Sequence, residues 1–395
     1  MENDTMRILI APMAAIAETS GPFSRAKKLA FECLKRGHDV RLCAAEDVNY
    51  TPIDGVPNFY APIPSPLGLP MWLGKRMFRN AQKLGIQQRK TVHSYEEVLH
   101  LTGALSPRHF KADVATLRTA IRQFNPDVVY AEFRIAAIVA AKLEQKPVVT
   151  SFSFPVQSRY ACNPKFSVAV RKYINECNLP QIESALDIFD WADLKIVPSS
   201  YELEPIDSAN VVFVGPFTAQ PINKEENTIK RNKIVVYMGN GTITISKQIK
   251  VLKEAFLGKQ YEVYVATKQA KANHLGNITI AERFNFAELL PQSVAFINHG
   301  GQNSIMDGLL YGVPQLIYPG KVFERKYNAA SVARLQAGKM LDEQNFNAKT
   351  LRAAIDEFQQ NDYYCINAGN AGQQLQSLGG VQKAVDEVEK IISCR

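Results

Sequence analysis

Five residues within positions 299–304 could together hold an anion: His299, Gly300, Gly301, Asn303 and Ser304. The string reads H-G-G-Q-N-S-I-M-D. Glycines let backbone N–H groups approach a ligand closely. A helix that starts just after them offers unpaired N–H donors and a partial positive charge. That combination suits a phosphate or diphosphate. Asn303 and Ser304 add side-chain hydrogen bonds. A second short loop, Gly239-Asn240-Gly241-Thr242, has the same small and polar character. A lone loop of this kind says little; its place behind a strand gives it weight.

The elements that must position these loops follow from hydrophobic pattern. Residues 294–297 form a strand of buried character, and the period after Asn303 predicts a helix over 303–311. Near the start, residues 7–11 read as a strand. Ala26, Leu29, Ala30, Cys33 and Leu34 then mark one apolar helix face, and residues 40–44 read as a second strand. This is a βαβ unit. Strands at 127–130, 147–150, 194–198 and 211–214 continue it, with a helix at 135–143. Residues 216–232 are polar and broken by prolines, as a linker would be. The series restarts with strands at 233–238, 261–266, 277–280, 294–297 and 315–318. The expected fold is α/β with two halves: an N-terminal domain over 1–215, a linker over 216–232, a C-terminal domain over 233–380, and a C-terminal helix over 381–395. Ligands of such sheets sit outside the carboxyl ends of the strands.

Residues 296–329 carry a longer pattern: His299, Gly301, Asn303, Ser304, Gly312-Val313-Pro314, Pro319 and Asn328-Ala329. It resembles the donor signature of the GT-B fold nucleotide-sugar glycosyltransferases, which include UDP-glycosyltransferases and bacterial antibiotic glycosyltransferases. The segment S-G-P-F-S-R-A-K-K-L-A, ending in R-G-H-D-V, also resembles that family's first helix. The resemblance implies two Rossmann-like domains facing across a cleft. It implies that His299 and the amides of Gly300 and Gly301 hold the donor's diphosphate, with Asn303, Ser304, Asn240 and Thr242 in support. It places Asp307 at the ribose hydroxyls, and Phe284, or else Phe286, against the base. Glu324 and Arg325 fall where the family reads the sugar. Arg325 replaces a customary amide by a cation that cannot accept hydrogen bonds. It therefore points to an acidic or unusual sugar, or to a surface salt bridge.

The implied reaction is inverting transfer of a sugar from a UDP- or dTDP-sugar to a hydroxyl of a small, apolar or aromatic acceptor. The family's base is a His after the first strand. Counting from the strand puts Glu18 there, and counting from the helix puts Pro22 there. Glu18, lined by Thr19 and Ser20, is one candidate base; Glu132, which acts directly or pairs with Arg134, is the other. His38, at the far end of the first helix, reads as a surface turn residue. The missing His leaves room for a catalytically silent nucleotide-sugar-binding relative that activates a partner enzyme. A nucleotide-sugar 2-epimerase shares the two-half layout. No D-x-D motif occurs, so the expectation is no metal and no cofactor beyond the sugar nucleotide co-substrate.

The acceptor is expected in the N-terminal half, on Phe59, Met71, Trp72 and Phe78. Next to them, residues 75–90 carry Lys75, Arg76, Arg79, Lys83, Arg89 and Lys90 and no acid, which fits a solvated helix face or peripheral contact with an anionic membrane. The whole chain of 395 residues holds 46 Lys+Arg and 38 Asp+Glu, a net charge of +8. That excess is diffuse and does not suggest a nucleic-acid partner. Six scattered cysteines form no C-x-x-C pair, as expected of free thiols in a reducing, cytoplasmic setting. No secretory leader and no membrane-spanning run is expected.

Overall fold

The computed structural model describes residues 5–14, 21–83, 90–217, 231–239 and 242–393. Glu18, Asn240 and most of the 216–232 segment lie outside them, as does the side chain of Phe78. The first half contains β1 (Arg7–Pro12), α1 (Pro22–Lys35), β2 (Asp39–Leu42), α2 (Met71–Lys83), α3 (Tyr95–Thr102) and α4 (Pro107–Phe124). It continues through β3 (Val128–Glu132), α5 (Ile135–Leu143), β4 (Val148–Ser151), α6 (Val168–Glu176), β5 (Leu194–Val197) and β6 (Val211–Phe213). The second half begins with β7 (Lys233–Tyr237), α7 (Ile245–Phe256), β8 (Glu262–Ala266), β9 (Asn273–Leu275), β10 (Ile278–Ala281) and α8 (Phe286–Leu289). Then come β11 (Ser293–Asn298), α9 (Gln302–Leu310), β12 (Gln315–Ile317), α10 (Phe323–Arg334) and β13 (Gly338–Met340). Helices α11 (Ala348–Gln360), α12 (Tyr363–Ser377) and α13 (Gly380–Ser393) close the described chain.

Two sheets result, ordered β2-β1-β3-β4-β5-β6 and β13-β12-β11-β7-β8-β10-β9. Every pairing is parallel except β9 with β10. Parallel strands need cover on both faces, which explains their near-continuous apolar sequences. Helix α5 is apolar all round because it is buried all round, from Ile135 to Ala141. In each sheet the strand order reverses once beside the first strand: between β1 and β3, and between β7 and β11. Such a switch point opens a crevice at the carboxyl ends. Glu132 ends β3, and His299 follows β11.

Strands β9 and β13 were not among the expected strands. Each is a three-residue edge strand with exposed positions and no apolar alternation to betray it. The last helix packs on the first half. Ala384, Val385 and Val388 of α13 join the core around Leu29, Ala30 and Cys33 of α1. Arg36 binds Asp386 at 2.6 Å and Glu389 at 3.2 Å. His38 is not a surface turn residue either: it is 4% exposed, and its Nε2 lies 2.9 Å from Glu389. A partner 351 positions away makes that burial possible.

The halves also meet at the cleft. Val92 bridges to Val322 just before α10, and the Tyr327 hydroxyl and Ser331 Oγ both donate to the Leu203 carbonyl. Phe154 stacks on Tyr327 with ring centroids 4.7 Å apart. Val385→Asp, which buries a carboxylate in the α1–α13 core, is expected to lower stability by about 3 kcal/mol. Urea unfolding measures it; an unchanged midpoint would show that α13 contributes nothing to the fold.

Candidate functional site

The turn after β11 is built by buried carboxamides. Asn298 accepts from the Gly300 N–H at 2.8 Å and donates to Gln315 Oε1 at 2.8 Å. From α10, Asn328 donates to the Gly300 carbonyl at 2.9 Å. Gly300 has φ +80°, a conformation that L side chains resist. A Cβ on Gly301 would lie 2.6 Å from His299 Nε2, so this position must stay bare for the imidazole to sit where it does. Gly301 then begins α9 with no side chain capping the helix start. Helices α7, α8 and α11 are capped by Thr244, Asn285 and Asn347, whereas α10 and α12, like α9, start without a side-chain cap.

His299 stands edge-on to Tyr237, with ring centroids 5.4 Å apart at 82°, and rests against Gly239. Its Nδ1 is 3.3 Å from the Tyr237 carbonyl. A carbonyl only accepts, so Nδ1 carries the proton of the neutral ring. Burial, helped by the Arg325 cation, pushes the imidazole down to about 3. Arg325 donates to Thr242 Oγ1 at 2.6 Å. It therefore serves the loop after β7 and, among the described residues, forms no salt bridge. Glu324 beside it is exposed along the cleft, and the surrounding protein pushes its pKa up against the pull of Arg325 and Arg25. With solvent reaching it, that push is weaker than a sealed core would give.

Phe284 and Phe286 both pack into one aromatic cluster. Phe284 meets Tyr264 edge-on at 5.4 Å, and Phe286 meets Tyr237 at 6.0 Å and Phe296 at 5.6 Å. Tyr311 of α9 belongs to the same cluster, one turn beyond Asp307. Asp307 faces a cavity of about 230 Å³ between α9 and α1, lined also by Arg25, Lys28, Phe217, Gln302 and Asn303. Asn303 is exposed at the helix start, whereas Ser304 is 4% exposed.

On the opposite wall, Glu132 is fully buried, and both its oxygens are engaged. Arg25 Nε donates to one at 2.7 Å, and Ser151 Oγ donates to the other. Arg134 is not its partner; it pairs with Asp113 and with the carbonyls of Pro12 and Cys43. Of the expected acceptor residues, Phe59 packs on the first-half core beneath Arg41, at 5.9 Å. Met71 and Trp72 begin α2, where Trp72 is 69% exposed beside exposed Lys75 and Arg76. The structure thus gathers His299, Gly300, Gly301, Thr242 and Arg325 into one cluster. Arg25, Tyr237, Asn298 and Gln302 complete the site. Sequence offered only position for them: Tyr237 and Asn298 end the two strands at the switch point.

Comparison with known proteins agrees with this geometry. Residues 260–389 match the family model described as erythromycin biosynthesis protein CIII-like, C-terminal domain. The chain is 26% identical over 233 residues to the NDP-glycosyltransferase YjiC of Bacillus licheniformis, a match covering 56% of this chain and 58% of that relative. It therefore spans little more than half of that relative's length. It is 26% identical over 326 residues to an uncharacterized UDP-glucosyltransferase, YojK, of Bacillus subtilis, covering 75% of each. The calicheamicin glycosyltransferase CalG4 superposes with a TM-score of 0.72 at 16% identity, over 99% of both chains. The spinosyn rhamnosyltransferase SpnG, solved with thymidine diphosphate, superposes with a TM-score of 0.70 at 15% identity, over 97% of this chain and all of that one. No helix among the described residues is long and apolar enough to cross a membrane. The chain therefore has the two-sheet fold of these glycosyltransferase structures, and its residues 260–389 are similar to the erythromycin biosynthesis protein CIII-like C-terminal domain.

Proposed function

We propose that this protein transfers a sugar, with inversion, from a UDP- or dTDP-sugar to a hydroxyl of a small apolar or aromatic acceptor. The observation that carries this reading is the uncapped start of α9, set behind a glycine turn with His299, Thr242 and Arg325 around it. Backbone N–H groups and fixed cations can take the charge of a diphosphate, the work that a metal does elsewhere. A diphosphate beside His299 Nε2 favours the imidazolium, which donates from both ring nitrogens. Asp307 accepts from the ribose hydroxyls, and the Phe284–Phe286 cluster receives the base. Glu324 and Arg325 read the sugar.

In the transfer, the acceptor oxygen attacks the anomeric carbon while that carbon's bond to the diphosphate breaks. The bond's electron pair leaves with the nucleoside diphosphate, and the acceptor proton passes to a base. We assign that base to Glu18, because Glu132 has both oxygens occupied by Arg25 and Ser151. A carboxylate suits an acidic acceptor such as a phenol.

A panel of UDP- and dTDP-sugars with phenolic acceptors tests the reading. The expected result is a glycoside of inverted configuration, with Glu18→Gln slowing turnover 100-fold or so while donor affinity holds. Nucleotide binding without any transfer would instead support a silent relative, and epimerised donor without acceptor would support an epimerase.

Asp307 supplies a pH test. Burial raises its pKa to about 6 against the attraction of Lys28. A carboxyl whose pKa rises on folding gains stability from protonation below its ordinary value and loses that gain as pH climbs through about 6. Asp307→Asn is therefore expected to stabilise the free protein at about pH 8 by on the order of 1 kcal/mol and to give no gain at about pH 4. The same change should weaken nucleoside diphosphate binding roughly tenfold. Thermal melts with and without UDP measure both, and a variant that melts lower at about pH 8 would contradict the account.

A further inference from the structure

Arg25 belongs to α1 in the first half, yet its guanidinium reaches the start of α9 in the second. Nη1 lies 3.5 Å from Oε1 of Gln302, the first residue of that helix. The rest of the side chain is held from behind. Nε donates to Glu132 at 2.7 Å, and the guanidinium carbon sits 5.2 Å over the Phe133 ring. Glu132 is fully buried, and its second oxygen is bound by Ser151. Phe133 adopts φ 54°, which is costly for an aromatic residue and persists only where the surroundings impose it. Strain of this kind concentrates at functional positions. Here its product is a ring placed under a cation.

The guanidinium is thus fixed through Nε and one face. Among the described residues, neither Nη atom pairs with a carboxylate. The side chain is 12% exposed and lines the cavity that also holds Asn303 and Asp307. Arginine keeps its charge at any ordinary pH and offers a forked donor pair matched to phosphate oxygens. A structural ion pair alone would not account for a cation aimed across the cleft at an uncapped helix start.

We infer that Arg25 is a catalytic residue of the first half, which binds the terminal phosphate of the donor's diphosphate across the cleft. It stabilises the negative charge that gathers there as the bond from the anomeric carbon to the phosphate oxygen breaks. Glu132 and Phe133 are its positioning residues. This rests on the glycosyl-transfer reading above, because only a nucleoside diphosphate presents that second phosphate.

Calorimetric binding of UDP and UMP, and of dTDP and dTMP, to the full chain tests the inference. The wild type is expected to prefer the diphosphate. Arg25→Gln should lose tenfold or more of diphosphate affinity and less than twofold of monophosphate affinity, with Arg25→Lys in between. Thermal melts of the free variants show whether each is folded, and Arg25→Lys keeps a cation for Glu132 if the glutamine variant does not fold. An unchanged preference for diphosphate in either folded variant overturns the inference, and so does an equal loss for both ligand types. A wild type that binds none of the four nucleotides overturns the donor reading and this inference with it.

Discussion

A helix start left without a side-chain cap is the constraint on which the second half depends. Unpaired N–H groups at a helix start need a partner, and water or an anion must supply it. Helix α9 starts at Gly301 with no side-chain cap, as α10 and α12 also do, whereas α7 and α11 use Thr or Asn for the purpose. Much of the nearby structure holds that start open. Asn298, Gln315 and Asn328 fix the preceding turn from three elements. The bare Gly301 admits His299 beside the first turn, and Arg325 ties the loop after β7 to the same place. A Cβ at Gly300 would meet the Arg325 carbonyl oxygen at 2.9 Å, so this turn has no room for a side chain there either.

The helix that carries Glu324 and Arg325 also joins the halves. Helix α10 carries Glu324 and Arg325 at its first turn, Asn328 beneath the glycine turn, and Tyr327 and Ser331 on the Leu203 carbonyl. Tyr327 stacks on Phe154 of the first half. Across the cleft, Arg25 and Glu204 both approach Gln302, so the first turn of α9 is touched from the opposite domain.

Much of this was legible in the sequence because the relevant signals are local. A strand, two glycines and a helix with Asn and Ser in its first turn lie within a dozen residues, and their spacing alone specifies the turn. The strand series was legible for a similar reason: parallel strands buried on both faces are short apolar runs. Long-range pairing was not legible. Arg25 meets Glu132 from 107 positions away, and His38 meets Glu389 from 351. A basic residue on a helix looks solvated until its distant acid is known, and a His at a helix end looks exposed until another helix covers it. Strands β9 and β13 were invisible because three-residue edges carry no alternation. The expected partner of Glu132 was wrong for a physical reason too. The strand ends at Glu132 and the positive φ of Phe133 breaks the alternation after it, so Arg134 turns to Asp113 and Arg25 takes the carboxylate.

The central claim is that the turn from His299 to Asn303 receives the diphosphate of a nucleotide sugar. A crystal structure of the protein soaked with UDP measures this most directly. The account predicts the phosphates at the start of α9, with oxygens within hydrogen-bond reach of His299 Nε2 and of backbone N–H groups between Gly300 and Asn303. A nucleotide bound elsewhere, with that helix start facing only water, would contradict it.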